Sequence, residues 1–160
     1  MKKAGDYILF GLLIFVSVWP LWLLYGFSFL LYGFLYYILG YRKHVVNRNL
    51  KFIFPDKSDI EIKLIRKKFY KHLSDITVET IKGLTISSKN LKKRFYCTNP
   101  EVLDKYKHTS VFLMSGHYTN WEFLIMAQNI LFFHKAIGVG KPLSNQTFND
   151  LLNKRRARFG

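Results

Sequence analysis

The chain has 160 residues, of which 49% are hydrophobic and 18% aromatic, and its formal net charge at pH 7 is +15. This length predicts about one domain, and the apolar content excludes a disordered chain. The one cysteine, Cys97, excludes an internal disulfide framework and a multi-cysteine metal site.

No charged residue occurs from Tyr7 to Leu39, which predicts a membrane segment. As one helix this stretch would measure about 50 Å, longer than a hydrocarbon core of about 30 Å, but two full spans of about 20 residues would not fit. We therefore predict one transmembrane helix from Tyr7 to about Phe27, kinked at Pro20, and then an aromatic-rich collar at the interface. Residues 1–40 form the predicted membrane anchor and collar.

Basic residues follow the membrane segment directly. They are Arg42, Lys43, Arg48 and Lys51. By the positive-inside rule, this cluster predicts that residues 41–160 lie on the cytoplasmic face of the membrane. The mixture of basic and apolar residues from Tyr41 to Phe54 is typical of a surface element that contacts anionic headgroups.

A long amphipathic helix is predicted next. Ser58 and Glu61 have the spacing of a capping box, apolar residues then recur at helical spacing, and Gly83 is a stop signal after Lys82. A basic stripe, Lys63, Lys67 and Lys71, runs along this helix. It is either a solvated face or a binding face for membrane phosphates or an acidic protein. Nucleic acid is not a predicted partner, because the chain has no nucleic-acid-binding motif.

The remaining elements alternate in type. Arg94 to Thr98, Val111 to Met114 and Ala136 to Val139 are the predicted strands. Helices are predicted at Pro100, over the apolar run from Phe123 to Phe133, and after a cap at Ser144 or Asn145. This alternation predicts an α/β domain, with helices on a mainly parallel or mixed sheet, over residues 41–160.

The segment Gly116-His117-Tyr118-Thr119-Asn120-Trp121-Glu122 joins the second predicted strand to a helix. Gly116 permits a sharp corner, and Thr119 with Glu122 has the spacing of a second capping box. His117 and Glu122 would not share a face of an ideal helix, so they can meet only if His117 lies in the corner. An imidazole there can take a proton from a substrate hydroxyl, and a carboxylate beside it can fix its tautomer and stabilise the imidazolium.

This segment resembles the His-x4-Asp/Glu motif of the lysophospholipid acyltransferase superfamily. The residues of this segment are most similar to those of the lipid A biosynthesis acyltransferases, the lauroyl and myristoyl transferases of Gram-negative bacteria. Arg48-Asn49-Leu50 and the later Phe54-Pro55 also resemble the early region of that family. Gly116 and Glu122 depart from the Asn and Asp of the glycerol-phosphate branch, which favours the lipid A branch.

The resemblance implies transfer of a fatty acyl group from acyl carrier protein to a hydroxyl of a lipid A precursor, at the bacterial inner membrane. It implies His117 as general base and Glu122 as its partner, and a basic residue near the end of the chain that binds the acceptor's phosphate. The candidates for that substrate-binding role are Lys141, Arg156 and Arg158. No metal or cofactor is predicted.

Two alternatives stay open from the sequence. One is acylation of a lysophospholipid or of another glycolipid or aminolipid. The other is an inactive membrane-anchored binding or scaffold protein. Family members are roughly twice as long, so we expect residues 41–160 to form the N-terminal portion of an acyltransferase domain.

Overall fold

The computed structural model describes residues 4–160, and its regular elements there are helices. The α-helices are α1 Ala4–Ser17, α2 Leu21–Gly33, α3 Lys43–Ile53, α4 Asp59–Lys82, α5 Ser88–Arg94, α6 Trp121–Leu131 and α7 Gln146–Arg156. A π-helical turn, Phe34–Ile38, continues α2, and 3-10 helices occur at Pro100–Tyr106 and Ala157–Phe159.

The predicted α/β fold is wrong, because no strand or sheet forms within residues 4–160. Residues 94–98, 111–114 and 136–139 were the predicted strands. The first run starts in the last residue of α5, and the other two are irregular. A strand needs the backbone of a second strand to pair its N–H and C=O groups, and an apolar run by itself does not supply one. Phe112 and Met114 are exposed, so the apolar character of this run does not reflect burial here.

The apolar N-terminal region is two helices rather than one. It is divided at Pro20, where the backbone is extended, with φ −65° and ψ 148°. Proline has no N–H to donate and is therefore suited to a helix start. After the break, Leu21–Ile38 is the stretch long and apolar enough to cross a membrane among the described residues, with a mean hydropathy of 1.6 and 17% of it buried. The span predicted from Tyr7 to Phe27 is thus interrupted.

The chain divides into two compact units. One consists of the chain up to Val18 together with Thr80–Gly160, and the other is Trp19–Glu79. The boundary predicted at residue 40 therefore lies inside the second unit. Buried apolar side chains of that unit come from α2, its π-helical turn and α4. They are Leu24, Tyr36, Ile62, Tyr70 and Val78.

The capping box predicted at the start of α4 is confirmed. The backbone N–H of Ser58 donates to Oε2 of Glu61 at 2.9 Å, and the N–H of Glu61 donates to Oγ of Ser58 at 3.3 Å. This reciprocal pair satisfies two of the N–H groups that a helix start leaves without partners. The helix ends at Lys82, directly before Gly83, as predicted.

The first unit has its core where α5 and α6 pack together. Ile86, Leu91, Phe123, Met126 and Ala127 are buried there. At the C-terminus of α1, the carbonyl oxygen of Ser17 accepts a hydrogen bond from the end of α4, where Nζ of Lys82 donates to it at 2.9 Å. Thr85 donates to the same oxygen at 2.5 Å. A cation at this end of α1 also compensates the partial negative charge of the helix dipole.

Candidate active site

His117 lies in an irregular, exposed segment that runs from residue 110 to 119 and leads into α6. Its ring contacts the ring of Trp121 edge to face, with centroids 4.9 Å apart. Trp121 is the first residue of α6, so this contact holds the imidazole at the start of the helix. The imidazole is exposed there.

The cap of α6 is Asn120 rather than Thr119. Oδ1 of Asn120 accepts a hydrogen bond from the N–H of Phe123 at 3.1 Å. Thr119 instead adopts a left-handed conformation, with φ +52°, which residues other than glycine, asparagine and aspartate rarely adopt. The predicted Thr119–Glu122 capping box is therefore wrong. The turn places Glu122 in the first turn of α6 with its carboxylate available to other partners.

Glu122 is buried, and its carboxylate binds two arginines from α7. Nη2 of Arg156 donates to Oε1 at 2.6 Å and Nε of Arg156 donates to Oε2 at 3.2 Å. Nη2 of Arg155 also donates to Oε2. This cluster, Glu122 with Arg155 and Arg156, is called the Glu122 cluster below. The two hydrogen bonds between Arg156 and Glu122 have the paired geometry that a planar guanidinium forms with a carboxylate.

Arg155 is the more deeply buried of the two arginines, at 4% exposure. Its Nη1 donates to the carbonyl oxygen of Thr80 at 2.9 Å. Burial, and secondarily the nearby charge of Arg156, lower the pKa of Arg155 to about 10. Burial also lowers the pKa of Arg156. Arg155 still carries its charge at neutral pH, so the Glu122 cluster holds one negative and two positive charges.

Gly83 allows this close packing. A Cβ at Gly83 would lie 3.3 Å from Sδ of Met126 and 3.4 Å from Cδ of Arg155. It would also lie 3.1 Å from the carbonyl oxygen of Thr80. Gly83, which follows the end of α4, thus also provides the surface against which the side-chain carbons of Arg155 pack.

Arg155 was not among the predicted site residues, although the sequence holds a signal for it. Phe148, Leu151 and Leu152 recur at helical spacing along α7, and Arg155 follows at the same spacing. A cation on the buried face of a helix needs a buried anion. That requirement identifies Arg155 as paired, but the partner is 33 residues away and is not visible locally.

The three predicted substrate-binding residues are placed differently. Arg156 is part of the Glu122 cluster. Nη1 of Arg158 donates to the carbonyl oxygen of Leu84 at 2.9 Å, and its guanidinium lies 5.3 Å from the ring centroid of Phe159. Lys141 lies in the exposed segment between α6 and α7. Within residues 4–160, Lys141 forms no ion pair with Glu122, whose oxygens bind arginines.

An apolar cavity of about 220 Å³ adjoins this cluster. Its walls come from α1, from the end of α4 and from α7, and Arg155 lines it too. The wall side chains include Leu13, Ile81, Leu84, Phe148, Leu151 and Leu152. The stem of Arg155 thus faces an apolar space while its guanidinium binds Glu122. Apolar walls of this kind favour the binding of a hydrocarbon chain.

The structure places His117 and Glu122 at the same helix start but not in contact. In the described part of the chain, the ring of His117 contacts Trp121, and the carboxylate of Glu122 is bound by arginines. An imidazole exposed at this point can accept a proton, and the surplus positive charge of the Glu122 cluster can attract an anion. No group of three or more His, Cys, Asp or Glu side chains suited to a metal ion occurs among residues 4–160.

Comparison with known families gives a match over the entire chain. The family model described as bacterial lipid A biosynthesis acyltransferase matches residues 1–160, which include both His117 and Glu122. No curated protein and no solved structure matches the chain.

Proposed function

Because the chain belongs to the bacterial lipid A biosynthesis acyltransferase family, we propose that it transfers a fatty acyl group to a hydroxyl of a lipid A precursor. The proposed donor is acyl carrier protein, and the proposed location is the cytoplasmic face of the bacterial inner membrane. The observation that carries the assignment to a site is the exposed imidazole of His117 at the start of α6, five residues before a buried carboxylate in the family's spacing.

His117 is the general base in this proposal. The acceptor hydroxyl gives its proton to the imidazole as its oxygen attacks the thioester carbonyl carbon. The tetrahedral intermediate then collapses, the carbon–sulfur bond breaks, and an ester remains. The carrier leaves as a thiolate, which takes the proton from the imidazolium. Atoms and charges balance without a metal or a nucleophilic side chain.

Glu122 is the proposed partner of His117, orienting the ring and stabilising its positive form. In the structure the carboxylate is bound by Arg155 and Arg156. Pairing with the imidazole would require the exposed segment before α6 to lie closer to the Glu122 cluster. Its irregular backbone and the absence of a strand partner within residues 4–160 permit such a change.

Arg156 is the proposed contact for a phosphate of the acceptor. It is half-buried, it binds Glu122 in the first turn of α6, and the Glu122 cluster has one more positive charge than negative. Arginine suits phosphate through its charge and its several donors, and Nη1 of Arg156 lies outside the two bonds to Glu122. Arg158 and Lys141 are the other candidates. Arg158 is the weaker of these two, because backbone carbonyls of Gly83 and Leu84 already accept from it.

The apolar cavity beside Arg155 is the proposed site for part of the acyl chain. Leu151 and Leu152 of α7 line it, and α7 also carries the two arginines of the Glu122 cluster. One helix would therefore hold the hydrocarbon and the polar part of the reaction next to each other.

The test is acyl transfer from labelled acyl carrier protein to a lipid A precursor, for the wild-type chain, His117→Ala and His108→Ala. His108 is an exposed histidine outside the proposed site and serves as the matched control. Loss of turnover in His117→Ala alone supports the proposal, and equal turnover in all three proteins contradicts it. Turnover with a lysophospholipid acceptor, but not with the lipid A precursor, would instead favour the first alternative acceptor class.

One observation favours a second candidate, an inactive membrane-bound binding protein. The carboxylate of Glu122 is bound by arginines and not by His117. In that case no acceptor would be acylated by the wild-type chain, although a phosphorylated lipid would still bind. Equilibrium binding of the lipid A precursor, measured alongside turnover, separates the two candidates.

A further inference from the structure

Three contacts pair α2 and its π-helical turn with α4 in antiparallel order, all within the unit Trp19–Glu79. The hydroxyl of Tyr25 donates to Oε1 of Glu79 at 2.7 Å, and the hydroxyl of Ser28 donates to the carboxylate of Asp75. Further along, the rings of Tyr36 and Tyr70 meet edge to face, with centroids 5.3 Å apart. The apolar helix α2 is thus paired, through two carboxylates, with the highly charged helix α4.

This pairing conflicts with α2 crossing a bilayer. Ser28 lies near the middle of Leu21–Ile38, so Asp75 would be carried to the bilayer centre and Glu79 to within one or two turns of it. Lys71 and His72, exposed on the same stretch of α4, would follow. Each charged residue at the centre of a bilayer costs about 2.5–3.5 kcal/mol even on the most lenient scale. A spanning α2 would therefore have to give up its contacts with α4.

The remaining faces of α2 are suited to lipid. Trp22, Phe29 and Tyr37 are spaced about two turns apart and are 74%, 67% and 64% exposed. Large exposed apolar side chains gathered along one helix are typical of surfaces that contact a partner or a membrane. An orientation parallel to the membrane immerses this surface while α4 keeps its charges in the headgroup layer.

Helix α3 adds further exposed apolar side chains to this unit. It exposes Phe52 at 87% and Ile53 at 61%, beside the exposed Arg48. It is tied to the rest of the unit by Arg66, whose Nη1 donates to Oδ1 of Asn47 at 2.6 Å. Basic amphipathic helices with exposed aromatic residues lie in the interface, with their apolar face about 5–10 Å deep.

The charge of α4 identifies the lipid class. Its basic residues within this unit are Lys63, Arg66, Lys67, Lys68 and Lys71. Of these, Lys63, Lys68 and Lys71 are exposed. Together with Arg48 they give the unit an excess of positive charge. Anionic headgroups complement that charge.

We propose that α2, α3 and α4 as far as Glu79 form an in-plane membrane-binding module on an anionic lipid leaflet, in which α2 lies along the interface instead of crossing the bilayer. The module does not depend on the acceptor or on the chemistry at His117. Its ligand is the bilayer surface itself.

The test measures depth in vesicles that contain phosphatidylglycerol. In a Cys97→Ser background, Trp22→Cys, Phe29→Cys and Tyr37→Cys each carry a fluorophore that spin-labelled lipids quench at known depths. An in-plane α2 places all three probes at the same shallow depth. A crossing α2 places the probe at Phe29 about 10 Å deeper than the probe at Trp22, at 1.5 Å per residue, and that result would overturn the proposal. Three probes in water would overturn it as well.

A second measurement tests the lipid class. A probe at Phe52→Cys moves from water into lipid on vesicles with phosphatidylglycerol and not on vesicles of phosphatidylcholine alone, while a control probe at Asp56→Cys stays in water on both. Adding Arg48→Gln weakens the transfer of the Phe52 probe about fivefold, corresponding to about 1 kcal/mol for one basic residue at an anionic surface. Equal transfer on both vesicle types would contradict the anionic preference.

Discussion

Arg156 holds both carboxylate oxygens of Glu122, with Nη2 to Oε1 at 2.6 Å and Nε to Oε2 at 3.2 Å. The first turn of α6 is thereby fixed to the last turn of α7, and the ring of His117 stands at the same end of α6. The proposed chemistry and the stability of this unit consequently share one carboxylate, and substitutions can separate the two roles.

His117→Ala is expected to lower turnover by a factor of about 10²–10⁴, the usual contribution of a general base. The free energy of unfolding should change by less than about 0.5 kcal/mol, because the side chain is exposed. Steady-state kinetics and thermal unfolding followed by circular dichroism measure the two effects. A large loss of stability would show that the residue is structural.

Glu122→Ala is expected to destabilise the protein by about 3–5 kcal/mol, since it leaves the buried guanidinium of Arg155 without its carboxylate. Arg155→Met should cost less, because Glu122 keeps its two hydrogen bonds to Arg156. Urea unfolding of the two variants gives the order. The reverse order would mean that the carboxylate is not the anchor of this cluster.

Asn120→Ala removes the hydrogen bond from the N–H of Phe123 and should cost about 1 kcal/mol. Thr119→Ala should cost clearly less, since the side chain of Thr119 does not cap α6. Chemical denaturation of both variants, with helix content from circular dichroism, is the measurement. If Thr119→Ala is the more damaging change, the cap assignment is wrong.

Leu151→Phe narrows the cavity beside Arg155 and should shift the preferred donor toward shorter acyl chains. Ile137→Phe is the matched control, because Ile137 is 87% exposed and does not line the cavity. Turnover with carrier proteins loaded with acyl chains of increasing length shows the preference. An unchanged chain-length profile in Leu151→Phe would remove the cavity from the proposed mechanism.

Acid should weaken the start of α4 through Glu61. The N–H of Ser58, the ammonium of Lys57 and the hydroxyl of Ser58 lower the pKa of Glu61 from its ordinary 4.5 to about 2. The folded form binds the proton less well than the unfolded form, so this stabilisation is present above pH 4.5 and is lost as pH falls toward 2. Ser58→Ala should raise the pKa of Glu61, as measured by NMR titration. A titration unchanged by Ser58→Ala would contradict the capping box.

The helix starts and ends that depend on hydrogen bonds between nearby residues were predictable from the sequence. Ser58 and Glu61 begin α4 and Gly83 follows its end, as the sequence predicted. Of the two predicted caps of α7, Ser144 and Asn145, the structure has Asn145, whose side chain accepts from the N–H of Phe148. The motif around His117 also indicated the family that the match over residues 1–160 shows. These features depend on residues within a few positions of one another, which is why the sequence alone determined them.

The features that the sequence did not predict mostly concern partners that are distant along the chain. Val111 to Met114 has strand-like composition, but strand formation requires a second backbone, and none pairs with it within residues 4–160. Pro20 divides the apolar region where a kinked single helix was predicted. The carboxylate of Glu122 is bound by residues 33 and 34 positions away. Such pairings are selected by the energy of burying charge and apolar surface together, so only the tertiary structure decided them.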